Sequence, residues 1–362
     1  MGIQEKIREI EEEIRRTQYN KATEHHIGIL KAKIAKLKAQ ALSTKKGGGG
    51  GGGFDVRKGG DARVALIGYP STGKSTLLSR VTKAKSKSAS YAFTTLDVVP
   101  GLIEYKGAKI QLLDLPGILR GASKGIGRGK EVLAVARSAD LIVLFVDVFN
   151  PEFEGLIEEL NDVGIRLDRK APDIVIKKKE SGGVSINRTV PTPKLDDRMV
   201  IDILGVYGVH SADVIIREDV SPDDLIDVIV GNRVYTKSLK VVNKIDLVNE
   251  KYLQELEQRE GEFLRMSAES GIGIEEFKER LFQKLELIRI FTKSRFEGVD
   301  FDEPLVIKSG STIEDVCISI HRDLRKNFKY AIVTGPSAKF RSQRVGLGHV
   351  VMDGDVVQIF AR

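Results

Sequence analysis

Apolar residues recur along the first 42 positions in two stripes. Ile3, Ile7, Ile10 and Ile14 follow a 4-3-4 spacing, and Ile27, Leu30, Ile34 and Leu37 follow 3-4-3. Each spacing keeps apolar side chains on one helix face, so the pattern predicts two amphipathic helices. Thr17 to Lys21 is the expected turn, with Thr23 as a cap for the second helix. The two stripes can zip together, which predicts a helical hairpin over residues 1–44. Outward positions of its second helix carry Lys31, Lys33, Lys36 and Lys38. They read equally as a solvated face or as an arm for RNA or a partner. His25 and His26 are adjacent and so point to different sides, with no cysteine nearby to complete a metal site.

From residue 61 the pattern changes to short apolar runs between turn residues. Arg63–Ile67, Leu102–Tyr105, Lys109–Leu113 and Leu141–Val146 read as strands, with Gly107 turning the middle two and Leu133–Arg137 as a helix. Residues 150–230 hold expected helices at Phe153–Asp162, Leu195–Tyr207 and Ser221–Val230, and an extended Val214–Arg217. Ser221 is placed to cap its helix, with Asp224 at the third position. Asp173–Ile176 and Val184–Asn187 flank Lys177-Lys178-Lys179-Glu180-Ser181-Gly182-Gly183 and read as a β-hairpin with a basic tip. Beyond 230 the pattern gives strands Leu239–Val242 and Glu262–Met266 and a helix Ile274–Leu287. The last stretch gives Pro304–Ile307, a helix Thr312–Asn327, Tyr330–Val333 and Val356–Phe360.

Strands alternating with helices place the chain in the α/β class. The expected division is a hairpin (1–44), a glycine-rich linker (45–60), a first α/β part (61–149), an inserted small α/β domain (150–230), a second α/β part (231–289) and a C-terminal β-grasp module (290–362). The insert is too long for a loop and too patterned for disorder. Gly47 to Gly53 is an unbroken glycine run after Lys45-Lys46 and reads as a flexible tether.

Composition narrows the class only a little. A hydrophobic content of 41% is ordinary for a globular protein. No apolar run reaches the roughly 18 residues of a transmembrane helix, and the N-terminus is charged from Glu5 onward, unlike a signal peptide. One cysteine, Cys317, leaves no intramolecular disulfide and suits a reducing cytoplasm. Cys317 shares helical spacing with Ile313, Val316, Ile320 and Leu324, so it is expected in a core and not as a nucleophile. The net charge of +7, from 58 basic and 51 acidic residues, permits nucleic-acid contact without requiring it. Basic residues cluster between Arg322 and Arg344, where Arg322, Arg325, Lys326, Lys329, Lys339, Arg341 and Arg344 face a single acid, Asp323.

The chemistry concentrates at Gly68-Tyr69-Pro70-Ser71-Thr72-Gly73-Lys74-Ser75, between the strand ending at Ile67 and a helix beginning at Lys74. The spacing is that of a phosphate-binding loop, G-x-x-x-x-G-K-[ST]. Its glycines allow backbone angles at which successive N–H groups point inward at phosphate oxygens, and the helix N-terminus adds positive potential. Pro70, Ser71, Thr72 and Thr76 belong to the same cradle. Lys74 is expected to reach the β- and γ-phosphates, and the Ser75 hydroxyl to bind Mg²⁺.

Four further stretches select the nucleotide. Asp114-Leu115-Pro116-Gly117 follows a strand; Asp114 is placed to hold Mg²⁺ through water, and the Gly117 N–H to sense the γ-phosphate. Thr94-Thr95 lies between, and Thr95, 20 residues past Ser75, is a candidate second Mg²⁺-binding hydroxyl. Asn243-Lys244-Ile245-Asp246 ends another strand. Guanine offers two adjacent donors that the Asp246 carboxylate can accept, adenine offers no such pair, and Lys244 can lay its stem along the base. Ser267-Ala268-Glu269 follows a short strand, with the Ala268 N–H as a donor for guanine O6. Together these imply a guanine-nucleotide switch.

Gly68 to Ser75, Tyr91 to Leu96, Leu113 to Gly117, Asn20 to Thr23 and Asp227 to Tyr235, in this domain order, closely resemble the developmentally regulated GTP-binding proteins. These are Obg-like GTPases of archaea and eukaryotes, and the resemblance runs the length of the chain. It implies Mg²⁺-dependent hydrolysis of GTP to GDP and phosphate, with Lys74, Thr95 and Gly117 as catalytic residues. It also implies that residues 150–230 are similar to a ribosomal-protein domain and that the C-terminal module is a TGS domain. Many GTPases place a water-orienting glutamine directly after the glycine equivalent to Gly117; this chain has Ile118, so slow intrinsic turnover is expected. Some relatives hold K⁺ with a loop asparagine where this chain has Ser71, which leaves K⁺ open. Two purposes are implied: a translation-associated GTPase docking on the ribosome or its RNA through basic appendages, or a switch recruiting a regulatory protein. A cytoplasmic monomer with no membrane contact is expected.

Overall fold

The computed structural model describes residues 2–18, 20–21, 23–43, 60–82, 99–114, 137–294 and 298–361. Outside the described residues lie the glycine run 47–53, Thr94, Thr95, Gly117, Ile118 and all but the last residue of the helix expected at Leu133–Arg137.

The chain opens with α1 (Ile3–Arg16) and α2 (Glu24–Ser43). Then come β1 (Ala62–Ile67), α3 (Lys74–Val81), β2 (Val99–Tyr105), β3 (Ala108–Asp114) and β4 (Leu141–Asp147). Next are α4 (Glu154–Asp162), β5 (Ile165–Leu167), β6 (Ile174–Lys178), β7 (Val184–Arg188), α5 (Asp197–Val206), β8 (Ala212–Ile216) and α6 (Pro222–Val230). β9 (Val234–Asn243), α7 (Glu250–Glu260), β10 (Leu264–Arg265) and α8 (Ile274–Lys284) follow. The last stretch holds β11 (Leu287–Ser294), β12 (Gly298–Val299), β13 (Leu305–Lys308), α9 (Ile313–Ile320), α10 (Arg322–Lys326), β14 (Phe328–Thr334), β15 (Gln343–Val345) and β16 (Val356–Ala361). Two compact units result, Met1–Gly53 with Leu160–Tyr235 and Phe54–Glu159 with Thr236–Arg362.

In the second unit the main sheet runs β10-β9-β4-β1-β3-β2. All neighbours are parallel except β2, which pairs antiparallel with β3 at the edge. Every residue of β1 and β4 is buried, and all but Arg63 and Asp147 are apolar, as expected of strands covered on both faces. Leu66, Leu112, Val143, Phe145 and Phe277 lie in one core beneath α3 and α8. Because the strands are parallel, their C-terminal ends share one edge. Leu66 stands beside Asp114 and Asp147 beside Asn243, so the loops that follow converge there.

The C-terminal module is a second sheet, β12-β11-β16-β14-β15, with β13 on β11. Ile313, Val316 and Cys317 of α9 pack against Ile290, Ala331, Val333 and Val357. Burial pushes the Cys317 thiol pKa up. Two expectations change here. The helix expected at Thr312–Asn327 is two helices, because His321 is extended (φ −163°, ψ 133°) and its Nδ1 accepts the Asp323 N–H at 3.3 Å to start α10. The helix expected to reach Leu287 stops at Lys284, since Ile288 and Ile290 must alternate into the C-terminal core as β11.

In the first unit, α2 lies on α5 and α6, with Ala32 fully buried among Ile203, Leu204 and Leu225. Lys31 and Lys33 stay exposed as expected, but Lys36 and Lys38 are half-buried, which corrects their outward placement. Lys31 pairs with Asp223 at 2.7 Å, Lys36 donates to the Val206 carbonyl at 2.6 Å and Lys38 pairs with Asp162 at 2.9 Å. The expected hairpin of β6 and β7 is also overturned: β8 lies between them, antiparallel to β6 and parallel to β7. Ala212, Val214 and Ile216 of β8 are fully buried, so it takes the centre. The Lys179 N–H donates to Ser211 and the Gly183 carbonyl accepts from Ala212, wrapping the basic link around the start of β8. α6 begins as its pattern predicts, with Ser221 and Asp224 closing a capping box ahead of Pro222.

Candidate nucleotide site

The loop after β1 is shaped by close backbone contact. A Cβ at Gly68 would lie 1.9 Å from the Phe145 carbonyl oxygen, so only glycine fits. Gly73 has φ +97°, and a Cβ there would meet the Asn243 Nδ2 at 2.4 Å. Ser71 holds φ 64° without being glycine. The buried Thr72 hydroxyl donates to the Tyr69 carbonyl at 2.9 Å. Pro70 lies exposed on the loop and Thr76 half-buried in the first turn of α3. Lys74 opens α3 and is 8% exposed; its ammonium donates to the Gly68 and Tyr69 carbonyls at 2.9 and 2.7 Å. Burial pushes its pKa down, and the Asp114 carboxylate opposes that shift.

Ser75 and Asp114, expected from the sequence to share a cation, are brought together. The Ser75 hydroxyl donates to Asp114 Oδ2 at 3.2 Å. Asp114 Oδ1 is buried and has no hydrogen-bond partner among the described residues. Burial pushes the Asp114 pKa up, against the Lys74 charge and the Ser75 bond. An orphaned carboxylate oxygen beside a hydroxyl is the oxygen donor set of a hard divalent cation, so these residues fit Mg²⁺.

The base-reading loops are tied to the phosphate loop. Asn243 is buried; its Nδ2 donates to the Thr72 carbonyl at 2.8 Å and its Oδ1 accepts the Ala268 N–H at 2.8 Å. The Ala268 N–H, expected to serve guanine O6, therefore has Asn243 as its acceptor here. Lys244 is left-handed (φ 63°) and its ammonium donates to the Ser71 carbonyl at 2.9 Å. Asp246 sits exposed in the short turn Ile245–Leu247. Ser267 is fully buried and its hydroxyl accepts the Ser270 N–H at 3.1 Å. Glu269 is exposed, and its carbonyl accepts from the Arg80 guanidinium of α3. Sequence reasoning passed over Arg80 and Asp147. Asp147 ends an apolar strand just as Asp114 does, and that placement was the signal for it.

Similarity to known proteins runs through nearly the whole chain. Family models described as "50S ribosome-binding GTPase", "C-terminal region of MMR_HSR1 domain" and "TGS domain" match residues 63–179, 181–287 and 288–361. A GTP-binding protein of Methanocaldococcus jannaschii is 53% identical over 364 residues, covering 99% of this chain and 93% of its own. GTP-binding protein 1 of Schizosaccharomyces pombe is 50% identical over 367 residues and 100% of both chains. Developmentally-regulated GTP-binding protein 2 of Homo sapiens is 50% identical over 362 residues and 99% of both. The chain belongs to the developmentally regulated GTP-binding proteins. It is a GTP-binding protein and a GTP hydrolase. Its α/β P-loop domain carries the C-terminal β-grasp of the TGS type, as the resemblance implied. No helix among the described residues is long and apolar enough to cross a membrane.

Proposed function

We propose that this developmentally regulated GTP-binding protein is a Mg²⁺-dependent switch that docks on the ribosome or ribosomal RNA in the cytoplasm. The orphaned Asp114 Oδ1 beside the Ser75 hydroxyl carries the Mg²⁺ assignment. When bound, the ion supplies positive charge against the phosphates. Ser75 and Asp114 would hold it with Thr95, while Lys74 and the Gly117 N–H meet the γ-phosphate. Asp246 reads guanine, and Lys244 carries the base on its stem. Hydrolysis in EDTA equal to that in Mg²⁺ would refute the metal assignment. Turnover compared in K⁺ and Na⁺ tests whether a monovalent ion acts at Ser71.

Docking is supported by basic residues that other side chains leave unengaged. Arg322, Lys329, Lys339 and Arg341 are exposed and make no ion pair among the described residues. Arg325 pairs with Glu314 and Lys326 with Asp323, while Arg344 lies 4.0 Å from the Tyr330 ring centre. At the insert, Lys179 is held by Asp213 at 2.7 Å, which leaves Lys177 and Lys178 for phosphates. Phosphate contacts release counterions, so RNA affinity should fall linearly on a log–log salt plot. Replacing Arg341 and Arg344 with alanine should weaken binding of unrelated ribosomal RNA fragments alike. Unchanged affinity and slope would favour the second reading, a switch that recruits a regulatory protein. That reading is supported by Phe340, 63% exposed within the basic stretch.

A further inference from the structure

Asp147 belongs to none of the motifs above. It closes β4 beside Asn243, and it is 7% exposed. Its two carboxylate oxygens have separate duties. Oδ1 accepts the Phe149 and Asn150 N–H groups, each at 3.1 Å. Oδ2 accepts the Lys244 ammonium at 2.6 Å. The backbone of the β4–α4 loop thus orients the carboxylate that the lysine meets.

Lys244 is held at its far end by a second acceptor, the Ser71 carbonyl at 2.9 Å, and the Phe149 ring lies 5.6 Å from the ammonium. Ser71 is the phosphate-loop residue that holds a positive φ without being glycine. One lysine thus runs from the base-reading loop to the phosphate loop, with Asp147 as its only carboxylate partner among the described residues.

We propose that Asp147 is a positioning residue for guanine-nucleotide binding: its carboxylate holds the Lys244 ammonium against the Ser71 carbonyl, so that the lysine stem forms a fixed platform for the base. A neutral acceptor would satisfy one hydrogen bond but would not counter the charge, and charged hydrogen bonds are about twice as strong. The platform is common to GDP and GTP, so the effect of Asp147 is independent of the γ-phosphate. This rests on the reading of Lys244 as the base platform.

The test measures dissociation of fluorescent GDP and of a fluorescent non-hydrolysable GTP analogue from the full chain. The variants are Asp147→Asn, Asp147→Ala, Lys244→Met, Lys244→Ala and the double variant Asp147→Asn/Lys244→Met. Methionine keeps a straight stem and removes the ammonium. Asp147→Asn should speed release of both nucleotides by the same factor, about tenfold or more, the size of one charged hydrogen bond. It should add little in the Lys244→Met background, since interacting residues are non-additive. Asp147→Asn keeps the side-chain shape and so guards against misfolding of Asp147→Ala. If Asp147→Asn lowers the melting temperature but leaves both release rates within about twofold, Asp147 is structural and the proposal is overturned. A full effect that persists in the Lys244→Met background, or one seen with the GTP analogue alone, also overturns it. If Lys244→Met releases nucleotide at the parent rate, the held ammonium does not matter and the proposal is overturned. If Lys244→Ala, which removes the stem as well, does so, the platform reading fails instead.

Discussion

Asn243 and Thr72 are 171 residues apart and hydrogen-bonded at 2.8 Å, side-chain amide to backbone carbonyl. The same amide accepts the Ala268 N–H through Oδ1, so three loops meet on one side chain. Asn243→Ala removes both bonds in a buried place and strands a carbonyl and an N–H. It should cost about 1–3 kcal/mol of stability for each group left unsatisfied and should raise the Kd for GDP and GTP together. Calorimetry of the nucleotide-free protein and equilibrium binding check the two parts. A variant with parental melting and parental affinity would contradict the tie.

Asp246 is exposed, and in the proposed reading its carboxylate accepts from two guanine donors. Asp246→Asn turns one acceptor into a donor facing a donor. Guanine affinity should fall by about 1–3 kcal/mol, with xanthine nucleotides gaining relative preference. Competition between GTP and xanthosine triphosphate measures it, and unchanged selectivity would place base reading elsewhere.

Burial raises the Asp114 pKa. A carboxyl raised above its unfolded value binds more protons when folded, so its contribution declines as pH rises from the usual carboxylate range through the raised value. At neutral pH its charge works against the metal-free fold. Asp114→Asn should therefore melt higher than the parent without Mg²⁺, by a margin that grows with pH over that window. Its GTP hydrolysis in Mg²⁺ should fall. Melting curves across pH and turnover assays test both signs in one variant.

Glu279 accepts from Lys106, Tyr105 and Gln283, which pull its pKa down to about 2, the Lys106 bond contributing most. A depressed carboxyl supports the fold above its ordinary value of 4.5 and loses that support as pH falls toward about 2. A carboxyl NMR titration should find its midpoint well below that of other glutamates. A midpoint near 4.5 would mean the cluster does not hold in solution.

Gly107 turns β2 into β3 with φ +82°, and a Cβ there would lie 2.4 Å from the Pro304 Cγ. Gly107→Ala should destabilise by about 1–3 kcal/mol, through the positive φ and the clash with the C-terminal module. Adding Pro304→Ala should return only the clash part. Denaturant midpoints of the single and double variants separate the two.

The sequence by itself determined the chemistry of the site. A phosphate loop needs glycines at a fixed spacing, which is readable, although the backbone that crowds Gly68 is the distant Phe145 carbonyl of β4. Asp114, Asn243, Lys244 and Ser267 were legible because each follows an apolar strand, and parallel strands carry their ends to one edge. The capping box at Ser221 was legible because its partners are three residues apart. Only the tertiary structure decided what each buried face meets. Periodicity marks a face for burial but does not name its neighbour, so Lys36 and Lys38 looked outward although Lys36 meets the Val206 carbonyl and Lys38 meets Asp162. β8 entered between β6 and β7 because its own alternation demanded a centre, a choice made by strands distant in sequence. Asp147 and Lys244 stand 97 residues apart, and only the pairing of β4 with β9 brings them within 2.6 Å.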